Sequence, residues 1–354
     1  MLSRVQDGST ARPFPWPACS ATGIGSMPGT DPGEAMAVIA GELPDLPHLA
    51  ELPARGPGAD LVGRTAALLV DLPVETTARG WRLAERRGRD VRRADGMMSA
   101  DLDAAEEAAQ GYAGPFKIQV CGPWTLAAAL ELTRSVEPAL GDGGALADLV
   151  ASLAEGVAAH VAAVRRRLPG AEVVVQVDEP ALPGVLAGSI PTASGLRRLP
   201  AVDEQTAADL LGAVLAAAKA PAVVHCCAAP VPFGCLARAG AGAIAFDLAT
   251  LRRDDEDAVG EAAEAGLGLL AGAVPPVADP AAAAGRDPLD AARQTANEVI
   301  GLWRRIGLPA AALAGQVVVT PGCGLAGATP ARARAVLARC RTAARAIPEL
   351  IEEA

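Results

Sequence analysis

The chain has 354 residues, of which 51% are hydrophobic and only 3% aromatic, so methyl-bearing side chains must fill its core. Its net charge of -10 at pH 7 argues against nucleic acid or an anionic membrane as a partner, since both require a basic surface. The length fits one large α/β barrel or two smaller domains, and the uniformly apolar composition favours one domain.

The first twenty residues contain Pro13, Pro15 and Pro17 and lack the apolar run of a signal peptide, so they predict an arm on the surface. No charge-free segment has the length and leucine content of a membrane span. The seven cysteines are an odd number without a disulfide pattern. We therefore expect a protein of the cytoplasm, where thiols stay reduced.

Short apolar runs alternate with helical patterns along the rest of the chain. The runs predict eight strands, at residues 21–26, 48–52, 117–121, 172–177, 222–224, 243–246, 266–270 and 316–319. Helical spacing predicts the intervening helices, at residues 31–43, 60–69, 146–168, 203–219, 254–265, 288–306 and 329–346, with a further helix ending at residue 132. Residues 71–115 are ambiguous, with Arg-rich and polar segments and a helical start at residues 99–107, and are interpreted as an excursion from the repeat.

Nearly continuous apolar strands that alternate with helices are typical of a parallel sheet that helices cover and that closes on itself. We therefore predict a TIM (β/α)8 barrel as a single domain over residues 21–354, after an arm at residues 1–20. A doubly wound open sheet is the alternative, because alternation alone does not prove closure. The glycines at residues 266–271 approximate a dinucleotide-binding spacing, but they lie inside the seventh predicted strand.

A His-x-Cys pair, His225 and Cys227, directly follows the fifth predicted strand. Cys323 follows the eighth strand between two glycines, and Asp247 follows the sixth. Imidazole and thiolate are ligands that zinc prefers, and the carboxyl ends of barrel strands meet at one mouth. The pattern predicts a zinc site with Asp247 as a candidate fourth ligand, against the alternative that the cysteines are only small apolar core residues.

Four motifs resemble a known family, the cobalamin-independent methionine synthases, in their C-terminal catalytic barrel and in the shorter relatives made of that barrel alone. They occur in the family's order over about residues 21 to 345: Ile24-Gly25-Ser26, Asp178-Glu179-Pro180-Ala181-Leu182, His225-Cys226-Cys227 and Pro321-Gly322-Cys323-Gly324-Leu325. The resemblance implies a zinc-dependent methyltransferase that converts homocysteine to methionine.

The resemblance also implies roles for individual residues. The zinc ligands would be His225, Cys227, Asp247 and Cys323, with Asp in place of the family's Glu. Homocysteine would be bound by a second set: Ile24, Gly25, Ser26, Glu51 and Asp178. Two acids at the mouth suit an ammonium group, and Asp178 is the expected catalytic residue, although strand-end acids such as Asp178 and Glu179 also commonly cap nearby N–H groups.

The methyl donor is where the chain departs from the family. Ala129 stands where the family has a folate-stacking Trp, residues 71–115 contain no Arg-Cys pair, and residues 274–278 lack the family's acid His. We expect methylfolate to bind poorly, and the resemblance to short relatives implies a methylated corrinoid carrier or another activated methyl compound. Another zinc-thiolate alkyl transfer, or thiol or metal binding without turnover, remains the alternative.

Overall fold

Eight extended segments form the centre of the molecule in a computed structural model that describes residues 14–277 and 287–353. Six strands make one parallel sheet in the order β3-β5-β6-β7-β8-β9, and three shorter strands make a second sheet. The strands are β1 (Val74–Thr77), β2 (Gly80–Leu83), β3 (Pro115–Cys121), β4 (Leu130–Glu131), β5 (Glu172–Asp178), β6 (Ala222–His225), β7 (Ala243–Asp247), β8 (Gly268–Val274) and β9 (Val317–Pro321).

Two extended segments near the start of the chain close the six-stranded sheet into a barrel. Ala21 bridges to β9 at one edge of the sheet, and His48 bridges to β3 at the other edge. Ser26 and Glu51 then pair the two segments with each other, also in parallel. The eight predicted strands thus correspond to the six strands of the sheet and the two extended segments that close it. The predicted TIM (β/α)8 barrel is confirmed.

Helices cover the outside of the barrel, and several begin where an Asp side chain accepts a hydrogen bond from the first turn, as Asp31, Asp60 and Asp203 do. Their bounds are α1 (Pro32–Glu42), α2 (Leu61–Ala66), α3 (Arg89–Ala108), α4 (Pro123–Ala129), α5 (Gly143–Arg167), α6 (Leu182–Leu186), α7 (Glu204–Ala218), α8 (Phe233–Arg238), α9 (Glu256–Glu264), α10 (Pro288–Arg305), α11 (Ala310–Gln316) and α12 (Pro330–Glu352).

The excursion at residues 71–115 consists of a hairpin, β1 with β2, followed by the 20-residue helix α3. β4 pairs in parallel with β2 and attaches the hairpin to the chain beyond α4. The helical start predicted at residues 99–107 falls inside α3, whose buried face includes Val91, Met98 and Leu102 and packs against α1, α2 and β1.

Helix α5 is long and apolar enough to meet the length and composition criteria of a membrane span, which we did not expect from the sequence. Half of the apolar 18-residue window is buried inside the protein. Its buried face packs against β5 and α7. Core helices meet the same criteria, so this is the covering helix of a barrel strand.

Trp16 fills the end of the barrel at which the strands begin. Its side chain is 6% exposed and packs among inward-facing residues of five strands, which include Val174, Val223 and Leu270. A Cβ atom on Gly268 would lie 2.6 Å from the indole ring. The prediction of a surface arm is therefore wrong for Trp16, because a barrel lined by Ala and Val leaves room that only a large ring can fill. Residues 1–13 of the predicted arm lie outside the described residues.

We expect Trp16→Ala to lower the free energy of unfolding by about 3 to 5 kcal/mol, the usual cost of truncating a buried aromatic side chain. Urea denaturation of the variant and of the unmodified chain measures the difference. Leu196→Ala is the control, because Leu196 is 88% exposed and its truncation should change stability by less than about 0.5 kcal/mol. Equal losses in the two variants would contradict the assignment of Trp16 to the core.

Candidate functional site

Three side chains with metal-binding atoms meet at the carboxyl ends of the barrel strands. His225 is the last residue of β6, Cys227 follows two residues later, and Cys323 lies two residues beyond β9. One ligand atom from each lies within 4.8 Å of the others, and the two sulfur atoms are 3.6 Å apart. Three of the four predicted zinc ligands are thus brought together, and we call His225, Cys227 and Cys323 the His-Cys-Cys group.

The imidazole of His225 is held by a carboxylate on the neighbouring strand. Asp178 is the last residue of β5 and pairs in register with His225, and its Oδ1 lies 2.8 Å from Nδ1 of the ring. The other ring nitrogen, Nε2, is buried and has no hydrogen-bond partner among the described residues. A buried nitrogen without a partner next to two thiols fits a bound thiophilic cation such as zinc.

The two thiols of the His-Cys-Cys group interact strongly. The hydrogen bond between Cys227 and Cys323, helped by nearby His225 and the Gly324 amide, lowers the pKa of Cys323 to about 6 against the opposing effect of burial. The same hydrogen bond, together with burial, raises the pKa of Cys227. A metal ion bound by both sulfur atoms would favour release of the protons from both thiols.

Asp247, the fourth predicted ligand, ends β7 but does not join the His-Cys-Cys group within the described part of the chain. Its Oδ1 accepts a hydrogen bond of 2.9 Å from the backbone N–H of Ala249. The residue borders a cavity of about 1060 Å³ that extends over β8 towards α10 and α12. Its carboxylate is nevertheless close to the loop that carries Cys323, since a Cβ on Gly322 would lie 2.8 Å from Oδ1.

The predicted substrate segment, Ile24-Gly25-Ser26, lies beside Glu51 at the same end of the barrel. A Cβ on Gly25 would lie 3.0 Å from Oε2 of Glu51, so this glycine permits the close approach. Ser26 is joined to the loop after Cys323, because its carbonyl oxygen accepts from Leu325 N at 2.8 Å. The five predicted substrate residues therefore line the mouth that contains the His-Cys-Cys group.

Burial raises the pKa of Glu51 to about 7. The nearby guanidinium of Arg64 opposes this effect, and the carboxylate of Asp178 adds to it. Arg64 is itself buried, with Nε 3.6 Å from Oε1 of Glu51. A cation bound beside Glu51 would favour the charged form of this buried carboxyl group.

The two acids of the Asp-Glu-Pro motif have different surroundings. Glu179 is fully buried and accepts hydrogen bonds from Trp124 N at 2.9 Å, Thr125 N at 2.8 Å and Thr125 Oγ1 at 2.7 Å. Burial raises its pKa to about 7 against these hydrogen bonds. Glu179 therefore caps N–H groups, as the alternative from the sequence stated, at the start of α4. Asp178 instead contacts the imidazole of His225.

Sequence reasoning missed a layer of polar side chains inside the barrel. Lys117 and Gln119 on β3 and Gln176 on β5 are fully buried. Burial lowers the pKa of Lys117 to about 7, and the charges of Asp178 and Glu51 oppose this. Polar residues at alternate positions, 117 and 119 on β3 and 176 and 178 on β5, were the available signal, because alternate residues of a strand face the same side.

The other two histidines are not placed to exchange protons with a substrate. His48 is buried with Nδ1 3.1 Å from the carbonyl oxygen of Leu49, and burial lowers its pKa to about 3. His160 is buried on α5, and burial lowers its pKa to about 4. The chain contains three histidines in total, so His225 alone belongs to the site.

Comparisons with known proteins identify the family of the chain and a solved structure with the same fold. The family model "Cobalamin-independent synthase, Catalytic domain" matches residues 145–346, more than half of the chain. The structure resembles that of a B12-independent methionine synthase from Shewanella sp. W3-18-1 in complex with selenomethionine, with a TM-score of 0.62, 12% identity and coverage of 95% of this chain and 100% of that chain. At this identity the likeness establishes the fold. No curated protein matches.

Proposed function

Because the chain belongs to the cobalamin-independent synthase family, as a methionine synthase-like methyltransferase, we propose that it transfers a methyl group to the thiol of homocysteine and gives methionine. The observation that carries the proposal is the convergence of the His-Cys-Cys group at the barrel mouth, with a buried Nε2 that lacks a partner. Seven free cysteines favour action in the reducing cytoplasm.

His225, Cys227 and Cys323 would hold a zinc ion, which in such sites lowers the pKa of a bound substrate thiol and keeps its sulfur nucleophilic. Asp247, at the end of the neighbouring strand, is the carboxylate available as a fourth ligand, directly or through a water molecule. Asp178 hydrogen-bonds to Nδ1 of His225, as carboxylates commonly do for metal-binding imidazoles.

The substrate groups other than the thiol would be bound by the rim of the same mouth. Glu51 and Asp178 would attract an ammonium group, and because both hydrogen bonds to Asp178 use Oδ1, Oδ2 would be the atom that meets the substrate. Ser26 and the backbone of Ile24 and Gly25 would orient the carboxylate. The Shewanella protein was determined in complex with selenomethionine, which supports an amino-acid substrate for this fold.

We further propose that the methyl donor is one that leaves without being protonated, such as a methylated corrinoid carrier. The tertiary amine of methylfolate needs an acid, and neither His48 nor His160 can serve because both are buried and uncharged. Trp124 cannot replace the family's stacking Trp, because its side chain is fully buried and its Nε1 donates to Ala207 O at 3.0 Å. Ala129 is exposed but offers no ring.

Purified protein should contain about one zinc per chain, and Cys323→Ser should lose most of it on dialysis, because a neutral hydroxyl replaces a thiolate ligand. Elemental analysis by mass spectrometry measures the content. Cys19→Ser is the control, since Cys19 is a half-buried free cysteine outside the His-Cys-Cys group. Full zinc content in Cys323→Ser would exclude the late cysteine as a ligand.

Glu51→Gln should weaken homocysteine binding by about 2 to 4 kcal/mol, the cost of leaving a desolvated ammonium without its partner. Calorimetry at pH 8 is suitable, because the pKa of Glu51 is about 7 and the carboxylate is ionised above it. Zinc content should stay unchanged, which separates substrate binding from metal binding. Glu172→Gln at the opposite end of β5 is the control, and equal affinities for homocysteine in both variants would contradict the assignment.

Among methyl donors, we expect methylcobalamin to support faster methionine formation than methyltetrahydrofolate or its polyglutamate. The folates need a general acid to protonate the leaving amine, and without one their methyl transfer should be slower by roughly 100- to 10,000-fold. Parallel assays with homocysteine and each donor, with methionine quantified by mass spectrometry, make the comparison. Faster turnover with either folate would reject the corrinoid proposal and leave the proposed methyl acceptor standing.

A further inference from the structure

A line of four buried side chains runs from the middle of the barrel to the His-Cys-Cys group. Nζ of Lys117 lies 2.6 Å from Oε1 of Gln176, and Nε2 of Gln176 lies 2.7 Å from Oδ1 of Asp178. The same Oδ1 lies 2.8 Å from Nδ1 of His225. All four residues are at most 5% exposed, so water competes little for these hydrogen bonds.

We propose that Lys117 and Gln176 are positioning residues that fix His225 in the tautomer protonated on Nδ1, which leaves the lone pair of Nε2 free for a metal ion. The proposal rests on the proposed metal-binding role of His225. It assigns a purpose to two buried polar side chains that neither ligate the metal nor touch the substrate in the proposed function.

The direction of the hydrogen bonds follows from a backbone carbonyl. The carbonyl oxygen of Ile24 can only accept, and it lies 2.7 Å from Nε2 of Gln176 and 3.2 Å from Nζ of Lys117. The amide nitrogen of Gln176 must therefore face Ile24 and Asp178, and its oxygen must face Lys117. Any other orientation would place two acceptors in contact at Ile24.

Lys117 acts only as a donor in this arrangement. Two of its N–H groups donate to Ile24 O and Gln176 Oε1. With its amide oxygen turned towards Lys117, Gln119 accepts the third at 3.0 Å and donates to Leu49 O at 3.1 Å. Three acceptors satisfy the three N–H groups of an ammonium, which is the arrangement that permits a lysine to be buried.

The donor and acceptor roles at Asp178 then determine which nitrogen of His225 carries the proton. Oδ1 of Asp178 accepts from Gln176, and the positive charge of Lys117 attracts the negative charge of Asp178. An acceptor at this position requires Nδ1 of His225 to carry the proton. Because a neutral imidazole has one N–H, Nε2 is then left as the acceptor or ligand atom. The carbonyl of Ile24 also belongs to the proposed substrate segment, so the same residues hold that segment in place.

The tautomer can be read directly from long-range ¹H–¹⁵N spectra of the metal-free protein. Only three histidines contribute signals, and His48→Gln and His160→Gln assign them. We expect His225 to be protonated on Nδ1 in the unmodified chain. Protonation on Nε2 in that chain would overturn the proposal without the need for any variant.

Gln176→Leu should convert His225 to a mixture of tautomers and weaken zinc binding by about 10- to 100-fold in a chelator competition, as loss of outer partners usually does. Thr295→Val is the control, because Thr295 is equally buried but lies on α10, where its hydroxyl donates to Ala291 O, outside the line of hydrogen bonds to Asp178. It should leave the tautomer unchanged. Circular dichroism confirms that each variant is folded.

If Gln176→Leu does not fold, Gln176→Met tests the same point, because it keeps the unbranched length of the side chain and has no N–H to donate to Asp178. An unchanged tautomer and zinc affinity in a folded Gln176 variant would overturn the proposal. A changed tautomer in a protein that binds no zinc would instead sustain the positioning role and contradict the proposed function.

Discussion

The hydrogen bond between Asp178 and His225 is the interaction on which the candidate site depends. It joins the last residues of β5 and β6, which the parallel register sets side by side. Because Asp178 holds Nδ1, the buried Nε2 has no hydrogen-bond partner among the described residues and is the ring nitrogen left for the His-Cys-Cys group. The barrel supplies this arrangement without strain, since the carboxyl ends of neighbouring parallel strands are adjacent by construction.

The composition of the barrel interior explains how a polar site can be this deeply buried. The half at which the strands begin is packed with Ala, Val and Leu around Trp16. The other half holds Lys117 and Gln176, which hydrogen-bond to each other, and Glu51, which is attracted by the charges of Arg64 and Lys117. Burying such groups is costly unless each has a partner, so the network also restricts the barrel to one arrangement of its strands.

The sequence predicted the fold well because its strands are strongly apolar and regularly spaced. The same regularity placed His225, Cys227 and Cys323 at strand ends, where the structure brings them together; their role as ligands stays a prediction. Asp247 could not be positioned by sequence, since its local hydrogen bond to Ala249 depends on the turn after β7. Trp16 was misjudged because the prolines around it are typical of a surface arm.

X-ray absorption at the zinc edge tests the central claim most directly, because it counts the atoms bound to the metal. Our account predicts two sulfur neighbours at about 2.3 Å and one nitrogen at about 2.0 to 2.1 Å, with the remaining position taken by a light atom. Addition of homocysteine should raise the sulfur count from two to three. A first shell without sulfur, or a count that homocysteine leaves unchanged, would contradict it.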